Sequence, residues 1–343
     1  MGNLCIYSRK TAADGAHFEE KEHILSAGLG GIHCLSKGMV SDEVNLHFSR
    51  WERSFMRDSL LAIPRQFHGP GKRGSLSSKK ASKSKVHVYN PSDLETNENP
   101  EEVGLCYISL GIAYSIPTLQ IKKGTFKIYI PERDDWESFI GRLLKCPEDG
   151  FINVHSDHMP TETALLGFHL GEWHLAQGDG FELQTLVQHL QNLKTGQINN
   201  LSQQESEYCI HSHQHLTYDE EDYYKVIVKY AFNFLARCIG QDAILASTFD
   251  PLRDWIMSET SDDNPAFKYL VTVTDSNSKL PAELPELAHF MTIAKKNERE
   301  LTALVCLYGG AVMHHVLLSA NYGQEFKPKR FICDWKNGKE EFS

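Results

Sequence analysis

The alternation of apolar and polar positions divides the chain into short strand-like runs and a few amphipathic helices. Near the N-terminus, β-like pieces lead into a helical period from about Val44 to Leu61, with Phe48, Trp51, Phe55 and Ser59 recurring on one side. KVHVYN (85–90), GLCYISL (104–110) and GTFKIYI (124–130) read as strands, and Asp134–Lys145 as a helix. The spacing also predicts helices at about Glu162–Leu175 and Phe181–Leu193. The clearest helix starts at Thr217, where Thr-Tyr-Asp-Glu reads as a capping box closed by Glu220. Ile227, Ala231, Phe234, Leu235 and Cys238 form its apolar stripe, and Gly240 ends it. Asp250 caps a second helix with Pro251 in its first turn. Lys268–Thr274, Leu301–Tyr308 and Val312–Ser319 complete the pattern as strands. The apolar run 301–320 is a hairpin and no membrane span, because Gly309, Gly310, His314 and His315 interrupt it. The pattern defines an α+β protein, with a small N-terminal module ahead of a larger α+β domain.

Composition places the boundary. GPGKRGSLSSKKASKSK (69–85) holds six basic residues and no acid, and PSDLETNENPEE (91–102) holds five acids. Both have too few apolar side chains to offset the entropy of ordering them, so residues 69–102 read as a charged flexible linker or loop. It separates a module at 1–68 from an accessory domain at 103–343. The chain has 343 residues and a net charge of −10, which excludes a uniformly basic nucleic-acid coat. Yet residues 1–85 carry 14 Lys/Arg against 8 Asp/Glu, while the remainder carries 21 against 37. A positive first quarter on an acidic body points to a polyanion contact at that end. The eight cysteines are dispersed without a CxxC pair, which fits reduced thiols in a cytoplasmic protein.

The chemistry is concentrated in residues 5–55. Glu22 and His23 stand together on a short element, followed by a turn with Gly28, Gly30 and Gly31. Asn45 enters the helix that carries Glu52. An anionic phosphodiester repels hydroxide, so its hydrolysis wants a neutral imidazole as base and a divalent cation. Two carboxylates from different elements can hold one Mg²⁺ and leave positions open for phosphate oxygens.

Cys5-Ile-Tyr7, Glu22-His23-Ile24, Leu29-Gly30-Gly31 and Asn45 ahead of Phe48-Ser49 resemble the HNH endonucleases, the ββα-metal nucleases. The match is to the bacterial branch that reads C-x-x-C, E-H-I-I-P, L-G-G and C-x-x-C-N. Residues 225–256 are similar to a helical segment that follows the module in some members of that branch. The resemblance implies a metal-dependent endonuclease in which His23 is the general base and Asn45 braces its loop. Glu22 and Glu52 would bind Mg²⁺, or Mn²⁺ or Ni²⁺, since Ser54 stands where many members carry a histidine; His47 is a weaker substitute for Glu52. The branch holds a structural Zn²⁺ with four thiolates. Here Cys5 remains and Ser8, Ser41 and Val44 take the other three positions, so the structural zinc is expected to be absent. The alternative is a catalytically inactive HNH-derived nucleic-acid-binding or scaffold protein.

Arg50, Arg53 and Arg57 repeat on the helix face beside Glu52, and Lys72, Arg73, Lys79 and Lys80 crowd the following loop. These are the candidate phosphate contacts, with DNA ahead of RNA as partner. The C-terminal domain is the expected place for substrate or protein recognition. His211, His213 and His215 would share one face of a strand and could chelate a metal, but a polar strand end is the preferred reading. His314 and His315 would face opposite ways, and His169 and His174 on a helix would lie about 140° apart.

Overall fold

Helix α1 (Asp42–Asp58) forms where the 3.6-residue period places it, with Asp42 and Glu43 in its first turn and Arg57 in its last. Its buried face is Val44, Phe48, Trp51 and Phe55. The Ser59 hydroxyl ends it by donating to the Phe55 carbonyl at 2.5 Å. A short helix, α2 (Ala62–His68), follows and stops at Gly69. The computed structural model describes residues 3–89, 103–157, 159–195, 201–206, 214–258, 271–273, 281 and 283–343.

The next stretch builds a unit of its own, Lys83–His215. Strands β1 (His87–Tyr89), β2 (Gly104–Ser109) and β3 (Ile112–Ser115) make an antiparallel sheet. A six-stranded sheet comes from β4 (Thr118–Lys122), β5 (Thr125–Pro131), β6 (Ile152–Asn153), β7 (Thr163–His169), β8 (Glu172–Gln177) and β9 (Leu201–Ser206). Its order is β6-β8-β7-β4-β5-β9. Helices α3 (Trp136–Leu143) and α4 (Leu183–Lys194) supply Phe139, Leu143, Leu186 and Leu190 to a core with Leu119, Ile128 and Leu166. The helix expected over 162–175 is instead the β7–β8 hairpin. Leu170 and Gly171 both have positive φ (52° and 92°), the backbone of a tight two-residue turn. Ala164, Leu165 and Leu166 are all fully buried, and a strand covered on both faces reads in sequence as a continuous apolar run, like a buried helix.

The chain then returns to the first unit, which joins Met1–Ser82 to Leu216–Ser343. Helix α5 (Glu220–Ile239) is enclosed on nearly every side, with α1 against one flank and the sheet against another. Its cap differs from the sequence reading: Asp219 is the N-cap and accepts the Asp222 N–H at 2.8 Å, so the helix opens two residues after Thr217. Short helices α6 (Gln241–Ile244) and α7 (Asp250–Met257) follow. The sheet comprises β10 (Val271–Val273), β11 (His289–Lys295), β12 (Leu301–Leu307), β13 (Val312–Ser319), β14 (Lys329–Asp334) and β15 (Lys339–Phe342). Its order is β10-β13-β12-β11-β14-β15, and β12–β13 is the hairpin expected at 301–320.

The protein is thus α+β, but its division differs from the boundaries drawn on composition. Residues 1–68 do not close a core of their own: Tyr7, Phe48 and Phe55 belong to one cluster with Tyr230, Phe232 and Val305. Nor are residues 69–82 a free linker. The buried Arg65 guanidinium donates to the Gly28 and Gly71 carbonyls and to Ser82 Oγ, which ties this loop to the glycine-rich turn. No helix among the described residues is long and apolar enough to cross a membrane.

Candidate functional site

Glu22 and His23 lie on a minimal strand pair. His23 bridges Cys34, Ile24 N–H donates to the His33 carbonyl at 3.0 Å, and Leu35 N–H donates to that of Glu22 at 2.8 Å. Alternation turns Glu22 and Ile24 inward and leaves His23 half-buried. The order is therefore strand, turn, strand, then helix α1. The glycines of the turn serve packing. A β-carbon at Gly31 would stand 1.8 Å from the Leu25 carbonyl oxygen, and Gly30 (φ +89°) lies against Trp335.

The two acids singled out in the sequence converge, and the cation between them belongs to the protein. Lys229 Nζ of α5 bonds Oε1 of both Glu22 and Glu52. Ser26 Oγ donates to Glu52 Oε1 at 2.5 Å and also bonds the Tyr230 hydroxyl. Asn233 Nδ2 donates to the His23 carbonyl at 2.9 Å and to Glu22 Oε1 at 3.3 Å, while its own oxygen accepts from Tyr7 Oη at 2.6 Å. Burial and the Glu52 charge push the Glu22 carboxyl up to about 6, against the pull of Lys229. For Lys229 burial favours the neutral amine, but the two carboxylates together outweigh it and hold the ammonium charged. His23 is pulled down by burial and by Lys229, so its imidazole is neutral at physiological pH.

Asn45 does not brace the His23 loop. It occupies the first turn of α1, where its N–H donates to the Ser41 carbonyl at 3.0 Å. The brace is Asn233 of the buried helix α5, which holds the His23 carbonyl. His47 lies outside the acid pair, with its ring edge-on to Trp51 at 4.3 Å. The signal for the missed residues was present in sequence. Glu221, Lys225, Lys229 and Asn233 recur every four residues along a helix whose middle is otherwise apolar, and all four are buried. A polar row in such a helix marks a buried network.

The metals implied by the HNH resemblance do not fit these donors. A divalent ion between Glu22 and Glu52 would meet the Lys229 ammonium, and among the described residues no three His, Cys, Asp or Glu side chains are arranged to hold an ion. At the positions where that branch carries thiolates, Cys5 Sγ accepts the N–H groups of Ser8 and Ser41, each at 3.5 Å, and Val44 is buried in the first turn of α1. The four positions are grouped, but one thiol, two hydroxyls and a valine cannot replace four thiolates.

Arg50, Arg53 and Arg57 are exposed along α1, and Lys72, Arg73, Lys79 and Lys80 are exposed on the anchored loop. Among the described residues none of the seven is paired with a carboxylate. Of the other histidines, His314 is buried and bonded to Tyr223 Oη at 2.9 Å while His315 faces out, as expected for neighbours in a strand. His169 and His174 are not helical: the β7–β8 hairpin sets their rings 6.4 Å apart on one face. His158, His211 and His213 lie outside the described residues, as do 90–102 of the expected linker. No family model, curated protein or solved structure matches this chain.

Proposed function

We propose that this chain is a nucleic-acid-binding protein built on an HNH-like module, whose carboxylate pair is held by a lysine and serves structure. The observation that carries this reading is the Lys229 ammonium bonded to both Glu22 and Glu52, a position where hydrolysis would need an exchangeable divalent cation. What the module offers to a ligand is positive: the arginine face of α1 and the four basic residues of the loop at 72–80. Such a surface grips phosphates and releases their counterions, a contact without sequence preference.

The test is fluorescence anisotropy with labelled DNA and RNA duplexes across a salt series. Affinity is expected to fall linearly in log salt, and Arg50→Gln/Arg53→Gln/Arg57→Gln to make the slope shallower by about 2–3. An unchanged slope would remove the α1 face from the interface. A second reading, metal-dependent phosphodiester hydrolysis, is favoured by one observation: His23 is half-buried and neutral, as a general base must be. Incubation with DNA and RNA in Mg²⁺, Mn²⁺ or Ni²⁺ separates the two, since cutting that is lost in His23→Ala would restore the nuclease.

A further inference from the structure

The unit Lys83–His215 contains a cleft of about 300 Å³ whose lining includes neither the acid pair nor the basic residues of α1. That volume is at the small end of small-molecule sites. Its polar groups differ in how far they are already used. Arg133 is committed: it donates to the Ser115 carbonyl at 2.5 Å, pairs with Asp134 at 3.4 Å and lies over the rings of Tyr114 and Tyr107. Asp135 uses one oxygen, Oδ2, to cap α3 by accepting the Ser138 N–H at 2.7 Å, and its other oxygen remains. Arg142 is exposed and lies over Phe168, with its guanidinium carbon 4.5 Å from the ring centre. Among the described residues no carboxylate accepts from it.

The histidine here is equally incomplete. His169 stacks on Tyr107 with ring centres 4.3 Å apart, and its Nε2 is buried without a hydrogen-bond partner. Burial, and the positive charge of Lys83 beyond it, hold this imidazole down to about 4, so the ring is neutral and Nε2 can serve a ligand as donor or acceptor. A buried polar atom with no partner is costly unless something completes it. The apolar part of the remaining wall is Pro117, Phe139 and Leu170, while the Tyr107 ring is taken by His169 and Tyr114, stacked on it with ring centres at 4.3 and 5.4 Å.

The unmet requirements are an anion for a stacked guanidinium, hydroxyls for a free carboxylate oxygen, a flat apolar body, and one edge group for an imidazole. A nucleotide supplies all four. We propose that this cleft binds a ribonucleoside 5′-phosphate, with the phosphate at Arg142, the ribose hydroxyls at Asp135, and the base against Pro117 and Leu170 with its edge at His169. Arginine suits the phosphate because its planar fork bonds two oxygens at once, and a carboxylate is the usual partner of a ribose 2′-hydroxyl. The same group could arrive as a free nucleotide or as one residue of an RNA strand.

Calorimetric titration of the full chain with the four ribonucleoside monophosphates, their deoxy forms, adenosine, inorganic phosphate and a short single-stranded RNA distinguishes these sources. At least one ribonucleotide, free or within the strand, is expected to bind at one site. It should bind about tenfold more tightly than its deoxy form and than phosphate or nucleoside alone. Arg142→Gln changes an exposed side chain and should weaken binding at least about tenfold. Asp135→Asn still caps α3, so it should keep the fold and erase the ribose preference. The proposal is overturned if no nucleotide and no strand binds more tightly than about 1 mM, or if Arg142→Gln binds as wild type does. Strand binding that persists in Arg142→Gln but is lost in Arg50→Gln/Arg53→Gln/Arg57→Gln belongs to the α1 face, and the proposal is then overturned unless a free ribonucleotide binds wild type and not Arg142→Gln.

Discussion

Lys229 carries the interpretation of the site, and its energetics make it testable. Two carboxylates and one ammonium taken from water repay their desolvation only while all three remain together. Lys229→Met leaves Glu22 and Glu52 facing each other without a countercharge. We expect a loss of about 3–5 kcal/mol in urea unfolding at pH 7. Mn²⁺ should then raise the melting temperature of the variant and leave that of wild type unchanged; equal responses would mean that the lysine does not stand in for a cation. Glu22 gives a second prediction, in pH. Its folded-state pKa, about 6, lies above the ordinary 4.5, so the folded state holds a proton that the unfolded chain has lost. Stability from this group is greatest below about 4.5 and declines as pH rises to about 6. Relative to Glu22→Gln, wild type should therefore lose stability across that window, as read by urea midpoints at pH 4.5, 5.5, 6.5 and 7.5. A constant difference would show that Glu22 titrates normally. The acids were legible in sequence because Glu-His and the helix phase mark them. Lys229 was not singled out, because nothing local says that a lysine two hundred residues away faces them.

Elements repeat that contrast between local and distant information. Helix α1 was readable to within three residues at each end because its apolar stripe, first-turn acids and terminal serine are all local signals. The β7–β8 hairpin was misread since its strands are buried on both faces and lose the period of two, and only the Leu170-Gly171 turn records it. Strands β14 and β15 do carry a local signal, the Asn337-Gly338 turn between them with Gly338 at φ +63°, so their pairing was legible and was missed. The loops that meet at the start of α1 allow a direct test of the resemblance. Ser8 and Ser41 already direct their N–H groups at Cys5 Sγ, each at 3.5 Å, the arrangement in which loop amides support a thiolate. Ser8→Cys/Ser41→Cys/Val44→Cys should therefore bind one Zn²⁺, seen with Co²⁺ as the absorption of a tetrahedral four-thiolate centre, and raise the melting temperature when loaded. Uptake no greater than that of wild type would mean that the four positions are not grouped as a metal site, and the likeness to the zinc-bearing nucleases would weaken with it.

On the scale of the whole chain, the question is which pieces can fold alone. Residues 1–68 read as a module because their chemistry is local, but burying apolar surface is a non-local matter. Phe55 meets Tyr223 and Tyr230 of α5, Tyr7 meets Phe232, and the same cluster continues into β11, β12 and β13. A fragment of residues 1–82 would expose that face and lose Lys229 and Asn233 together, so its acids would be left without countercharge. It is expected to be unfolded by circular dichroism and to give a collapsed amide proton spectrum. Residues 1–82 joined to 216–343 through a flexible linker of about ten residues keep the entire cluster, the acid–lysine network and the six-stranded sheet. That chain should unfold cooperatively, with the urea midpoint lowered in Lys229→Met as it is in the full protein. The segment 83–215 has its own core in Leu119, Ile128, Phe139, Leu166 and Leu186, so its removal takes no side chain from the first cluster. If the joined chain were unfolded while residues 1–82 alone were ordered, the core described here would not be what holds the site, and the lysine could not be its fixed cation.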